Sequence, residues 1–173
     1  LPNPEISKIE FKDVSVFFDH RSILQDLNFE IRRGEKVAIV GENGSGKTTL
    51  LNLLLGLCRA TSGEILIDGI PIQEYNIEAY RKKISAVLQD VHLFGGSVRE
   101  NILLDEEALF DPNRQPPFCT EAVNRLEKQF DTPVGSDGAK LSGGEKQKVA
   151  LLRALNRRAE ILILDEASAN YDK

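Results

Sequence analysis

KVAIVGENGSGKTTLLNLLLGL, residues 36–57, is the stretch whose reading decides the fold. Its first five residues are a short, mostly apolar, β-branched run, the pattern of a strand buried on both faces. GENGSGKT, residues 41–48, follows and matches G-x-x-x-x-G-K-[ST] in the setting that motif requires, a strand before it and a helix, Lys47–Leu57, after it. Gly41, Gly44 and Gly46 let the backbone curl so that successive N–H groups point inward, and the helix start adds its positive dipole end. That geometry holds polyphosphate. With Asn43 and Ser45 completing the loop, Lys47 is expected to neutralise the β and γ phosphates of a nucleotide. The Thr48 hydroxyl is expected to ligate magnesium, and Thr49 to add a contact to the α phosphate.

A second buried run, ILIL at 161–164, ends in Asp165 and Glu166. Two such runs, one with a Gly-rich and one with an acidic C-terminal end, predict a parallel sheet whose ligand lies at those ends. Asp165 is placed to hold the magnesium, directly or through water. Glu166, one position further, is placed to polarise a water for attack on the γ phosphate and is the candidate general base.

Around these runs the pattern changes twice. KIEFKDVSVFF at 8–18 and LNFEI at 27–31 alternate apolar and polar positions, which fits half-buried antiparallel strands joined through DHRSILQD. GEILIDG at 63–69 and ISAVLQ at 84–89 read as further strands. From Val98 to Leu103, Thr120 to Phe130 and Gly143 to Asn156 the spacing suits helices, separated by the breakers DPNRQPP and TPVGSDG. The expectation is a single α/β domain. Residues 1–90 and 159–173 would form a mostly parallel core with an N-terminal antiparallel β-subdomain, and residues 91–158 an inserted α-helical subdomain.

Composition narrows the classes. The chain has 173 residues, is 41% hydrophobic and carries a formal charge of -5, so no global attraction to nucleic acid is expected. Cys58 and Cys119 are too few and too far apart for a metal site or disulfide framework, and both read as buried small side chains. The richest apolar stretch, LLNLLLGL at 50–57, falls far short of the ~20 residues a membrane span needs. The chain starts at Leu1, contains no Met and has no signal segment, and so reads as a piece of a longer protein.

LSGGEKQK, residues 141–148, adds a second anion site: Ser142, Gly143 and Gly144 form a helix N-terminus with free N–H groups and a hydroxyl. Here the sequence resembles the ATP-binding cassette (ABC) family, whose diagnostic motif is LSGGQ, with Glu145 in place of the Gln. The resemblance runs the length of the chain. It implies a P-loop NTPase of the ABC ATPase fold that binds ATP and Mg2+ and hydrolyses the ATP. It also implies a head-to-tail dimer in which Ser142, Gly143, Gly144 and Glu145 reach the γ phosphate of ATP held by a second nucleotide-binding domain. Gln89 matches the family's glutamine that touches magnesium or the attacking water and couples the site to the transmembrane domain. Phe18 stands where the family places an aromatic residue, usually Tyr, that stacks on adenine. DVHLFGGSVRENI at 90–102 and TPVGSDG at 132–138 look like the segments that exporter-type cassettes carry around their membrane-coupling surface. The implied place is the cytoplasmic face of a membrane.

The sequence departs from the family in two places. ANYD, 169–172, stands where SALD is common, keeping Asp172 but carrying Asn170 and Tyr171 in a loop that contacts the opposite cassette. The family's switch histidine lies beyond Lys173, and neither His20 nor His92 is placed to replace it, so ATP binding is expected to survive better than turnover. Two other readings stay open. One is a soluble ABC ATPase of the chromosome, DNA repair or translation type, against which stands the lack of any heptad stretch. The other is a module that binds nucleotide without turning it over.

Overall fold

The computed structural model describes residues 5–104, 111, 115–157 and 159–165, and contacts divide the chain into residues 1–83 and 84–173. The first unit is built on strands β1 (Lys8–Phe18), β2 (Arg21–Arg32), β3 (Ser62–Ile67) and β4 (Ile70–Pro71), in the order β2-β1-β3-β4 with every pairing antiparallel. Alternation places Ile9 and Phe11 in its core with Ile65 and Ile67 opposite, and Phe11 stacks on Phe29 at 4.4 Å.

The β1–β2 connection is tighter than the sequence reading expects. Most of DHRSILQD is strand, and the turn is reduced to Asp19 and His20, both at positive φ, the backbone that a two-residue type I′ hairpin demands. Asp-His lacks the glycine that normally announces such a turn.

β1 bulges at Asp13, and the irregularity is held by hydrogen bonds. Asn28 Nδ2 donates to Asp13 Oδ1 at 2.7 Å while Asn28 Oδ1 accepts from the Asp13 N–H, and the Ser15 hydroxyl accepts from the Asp26 N–H. Gly63, at φ +77°, lies against this bulge so closely that a Cβ would sit 2.2 Å from the Asp13 carbonyl oxygen. Both strand backbones are fixed there, so no side chain fits.

Asp68 and Gly69 turn β3 into β4, and Asp68 also ties down the start of β1. Its carboxylate accepts from the Ser7 N–H and hydroxyl and from the Lys8 N–H at 2.8 Å. Burial pushes its pKa up, but these hydrogen bonds and the Lys8 charge outweigh it and hold the group below the ordinary aspartate range.

Two helices complete the first unit, α1 (Lys47–Leu54) and α2 (Ile77–Lys82). α1 stops short of the expected Leu57 because Gly56, at φ +64°, closes a Schellman motif: its N–H bonds to Leu53 O and the Leu57 N–H to Asn52 O. The carbonyls left at that end are taken by α2. The Tyr80 hydroxyl donates to Leu54 O, and Arg81 donates to Leu55 O and Gly56 O. The expected strand at 36–40 is not formed: among the described residues the run pairs with nothing, and Val37, Ile39 and Val40 are exposed. An apolar β-branched run is a strand only where a neighbour accepts its hydrogen bonds.

In the second unit β5 (Ile84–Val87) and β6 (Ile161–Leu164) pair in parallel as expected, but of ILIL only Ile163 is buried, with Leu162 and Leu164 exposed on the other face. Among the described residues the α-helices between β5 and β6 are α3 (Val98–Ile102), α4 (Pro117–Asn124) and α5 (Gly143–Asn156). α4 starts earlier and ends earlier than the periodicity suggests, since Pro117 suits a first helical position and a separate 3-10 turn covers Gln129–Asp131. The apolar faces of the helices meet in one core that includes Val87, Leu93, Ile102, Cys119, Val123, Val134, Val149 and Leu152. Cys119 is buried as expected, which raises its thiol pKa to about 11, whereas Cys58 is exposed because it follows the Gly56 stop. No helix among the described residues is long and apolar enough to cross a membrane.

Two outcomes check this account. Gly63→Ala should lose ~2 kcal/mol or more in denaturant unfolding, because both φ and the Asp13 carbonyl oppose it. For Asp68 the folded pKa lies below the unfolded value of ~3.9, so its contribution is complete above that pH and fades as pH falls through the folded value. Urea midpoints of wild type and Asp68→Asn should therefore differ at neutral pH and converge in acid; an equal gap at both ends would remove the carboxylate as the cause.

Candidate functional site

The phosphate loop is shaped by two left-handed glycines, Gly44 at φ +81° and Gly46 at φ +91°, the second serving as the N-cap of α1. A Cβ on Gly46 would meet Leu24 Cδ2 at 2.7 Å and Ile23 O at 2.9 Å, so the loop rests directly on β2. No side chain caps α1 and no acidic residue lies in its first turn, which leaves the amides of Lys47, Thr48 and Thr49 unclaimed by any capping group. α2, α3 and α5 each carry a Glu in that turn. Lys47 Nζ lies within 2.8 Å of both Gly41 O and Glu42 O, holding the ammonium over the loop. The Thr48 side chain is exposed at the same end. A curled loop of amides, a helix dipole and one ammonium make an anion site with a built-in countercharge.

Phe18 ends β1 and pairs with Arg21 across the hairpin turn, a few residues from the Ile23 and Leu24 that touch Gly46. It is 70% exposed, so its ring is no part of the core. Phe18 thus presents an exposed aromatic ring at the hairpin end of β1.

In the second unit, Val87 pairs with Leu164, and the Asp165 N–H bonds to Val87 O at 2.8 Å. Gln89, exposed, lies two residues past Val87, so Gln89 and Asp165 share the C-terminal edge of one parallel pair, where α/β sheets place their ligands. Glu166 lies outside the described residues, as do Asn170, Tyr171 and Asp172.

α5 begins as its sequence says. Ser142 is the N-cap, and with Glu145 it forms a capping box: the Ser142 hydroxyl accepts from the Glu145 N–H, while the Glu145 carboxylate accepts from the Ser142 N–H at 2.7 Å and hydroxyl at 2.8 Å. The departure from Gln at 145 thus supplies a charged acceptor for the box. Gly143 and Gly144 follow in ordinary helical conformation, and a Cβ on either would meet nothing within 4 Å.

The two segments around 90–102 and 132–138 lie against each other. Val134 N–H bonds to Gly96 O and Val98 N–H to Thr132 O, and Ser97 bridges to Pro133. His92 Nδ1 lies 3.1 Å from Asp137 Oδ1, which lowers the pKa of Asp137, and Lys146 Nζ donates to Asp137 O. His92 is exposed but is partnered rather than merely solvated. Sequence reasoning missed Asn101 and Arg153, whose only signals were an amide inside α3 and a cation amid the apolar residues of α5.

Comparison with known proteins gives one answer. A sequence model of the ABC transporter family matches residues 24–169. The chain is 41% identical over 98% of its length to an ATP-dependent lipid A-core flippase of Syntrophus aciditrophicus. It is 44% identical over 95% to a flippase of the same description from Methylococcus capsulatus. It spans 29% and 28% of the length of these curated relatives. A solved structure of a bacterial Atm1-family ABC exporter with ATP bound superposes with a TM-score of 0.85 at 34% identity, covering all of this chain and 32% of that one. By motif, fold and likeness the chain belongs to the ABC transporter family, with the α/β P-loop fold of its ATP-binding domains.

Proposed function

We propose that this chain is the ATP-hydrolysing domain of an ABC exporter. In this reading it closes head-to-tail on a second nucleotide-binding domain and drives a transmembrane domain from the cytoplasmic face of the membrane. The observation that carries the two-domain part is the pair Gly143 and Gly144. Glycine forms helix less readily than alanine, by up to ~1 kcal/mol in an interior and less in the first turn where these two stand, and neither position has a positive φ or a neighbour within 4 Å that requires it. Nothing inside the described chain repays that cost. A body from outside that must approach the α5 backbone closely does; Glu145 already takes the Ser142 N–H and hydroxyl, and the γ phosphate of ATP held by another copy or a related cassette would meet the start of α5 at the bare glycines that follow.

On its own side the chain binds nucleotide through the 41–49 loop, with Asn43 and Ser45 lining it, Lys47 against the β and γ phosphates and Phe18 stacked on adenine. Each donor suits magnesium by its chemistry. Thr48, Gln89 and Asp165 offer hard oxygen ligands, and among the described residues no cluster of three or more His, Cys, Asp or Glu competes for a metal. Magnesium held by these residues would neutralise charge on the phosphates. Glu166 accepts the proton of the attacking water, and Lys47 steadies the charge that develops on the γ phosphate. Ser142, Gly144 and Glu145 act on the opposite nucleotide. The working division follows the motifs: residues 1–90 and 159–173 hold nucleotide, and residues 91–158 present the signature helix. Support for the exporter reading comes from the contact between the 90–102 and 132–138 segments and from the flippase and exporter relatives.

Glu166→Gln in the intact protein should leave ATP affinity within about twofold, prolong the ATP-bound dimer and lower turnover by ~100-fold or more. Turnover near the wild-type rate would remove Glu166 as the base. Gly144→Ala should behave oppositely on two assays. Thermal unfolding should show a gain of up to ~1 kcal/mol, while ATP-dependent dimerisation in sedimentation weakens. Undiminished dimerisation would refute the close approach.

A further inference from the structure

Arg153 lies in the last turn of α5 and is half-buried, with no carboxylate beside it among the described residues. Burial alone depresses its pKa. A cation in that position is costly unless neutral acceptors replace its water, and here they do. Nε donates to Asn101 O at 2.9 Å, Nη1 to His92 O at 3.0 Å and Nη2 to Asn101 Oδ1 at 2.8 Å. The guanidinium also lies 5.5 Å from the centroid of the Phe94 ring.

Asn101 is 1% exposed and its amide is saturated: Oδ1 accepts from the Phe94 N–H as well as from Arg153, and Nδ2 donates to Phe94 O and Ser97 O. Two side chains therefore fasten the whole turn from His92 to Ser97, and α3 behind it, to one point on α5. Phe94 itself is 59% exposed, so the fastened turn presents an apolar ring outward.

The other end of α5 is Ser142. Eleven residues of helix separate it from Arg153, about 16 Å at 1.5 Å per residue. Between them Val149 and Leu152 are fully buried, so α5 has little freedom to bend or slide. We propose that Arg153, with Asn101, is a positioning residue that joins the 92–101 segment and α5 into one lever, so that a load on the exposed face of Phe94 is delivered to the Ser142 end. The origin of the load and the use made of Ser142 rest on the function proposed above; the joint itself rests on the network alone. Lysine would keep the charge but not the planar fork that makes three directed bonds.

The test uses the intact protein in wild-type, Arg153→Ala, Arg153→Lys, Asn101→Ala and double-variant forms. It measures ATP affinity, kcat, KM and amide hydrogen exchange with and without ATP. Arg153→Ala should leave ATP affinity within about twofold and lower kcat by ~10-fold. It should raise exchange both at 92–97 and, at the far end of the helix, at 142–146, with the β1–β3 sheet unchanged. Arg153→Lys should not restore kcat, and the Arg153→Ala/Asn101→Ala double variant should be no worse than either single one, as expected of groups that act together. Faster exchange at 92–97 with unaltered exchange at 142–146 would overturn the lever and leave Arg153 a local brace. So would a kcat loss that only follows the folded fraction. A wild-type protein that binds ATP without turning it over would defeat the proposed function instead, and the exchange at 142–146 would still decide the lever.

Discussion

A helix begins with amide groups that no earlier residue can satisfy, and the two functional ends of this chain differ in how they meet that constraint. At α1 the amides are left uncapped, with Gly46 turning the loop away and Lys47 folded back onto Gly41 and Glu42. At α5 they are partly closed by Ser142 and Glu145. The first arrangement waits for a polyphosphate. The second keeps its hydroxyl and backbone ordered while leaving Gly143 and Gly144 bare. Much of the remaining structure holds these two ends in place: β2 supports Gly46, α2 caps the far end of α1, and the packed helices of the second unit hold α5.

The polar groups follow the same logic at smaller scale. Asp68, Asn101 and Asn28 each take several hydrogen bonds at once, and each ties down a place where the chain leaves regular structure: the start of β1, the loop entering α3 and the β1 bulge. Such residues are valued for saturation. An amide or carboxylate that meets three or four groups fixes a loop that hydrophobic packing alone would leave loose.

Legibility in the sequence tracked how local the physics was. The α5 boundaries follow from Ser142, Glu145 and the apolar period, all within one helix, and the structure has the same limits. β1 was equally plain. The phosphate loop was readable because three glycines and Lys-Thr leave few alternatives. The hairpin at Asp19–His20 was hidden, since neither residue advertises positive φ. Pairing was hidden too: KVAIV and ILIL look alike as sequence, yet only ILIL has a described neighbour. Arg153 was the least legible, because its partners lie 52 and 61 positions away and a basic residue in a helix reads by default as solvated.

The run at 36–40, which pairs with none of the described residues, has a consequence of its own. Val37 and Val40 are 55% and 92% exposed, and among the described residues the backbone between them pairs with no other segment. That is the profile of a sticky edge, able to recruit another extended segment from solution.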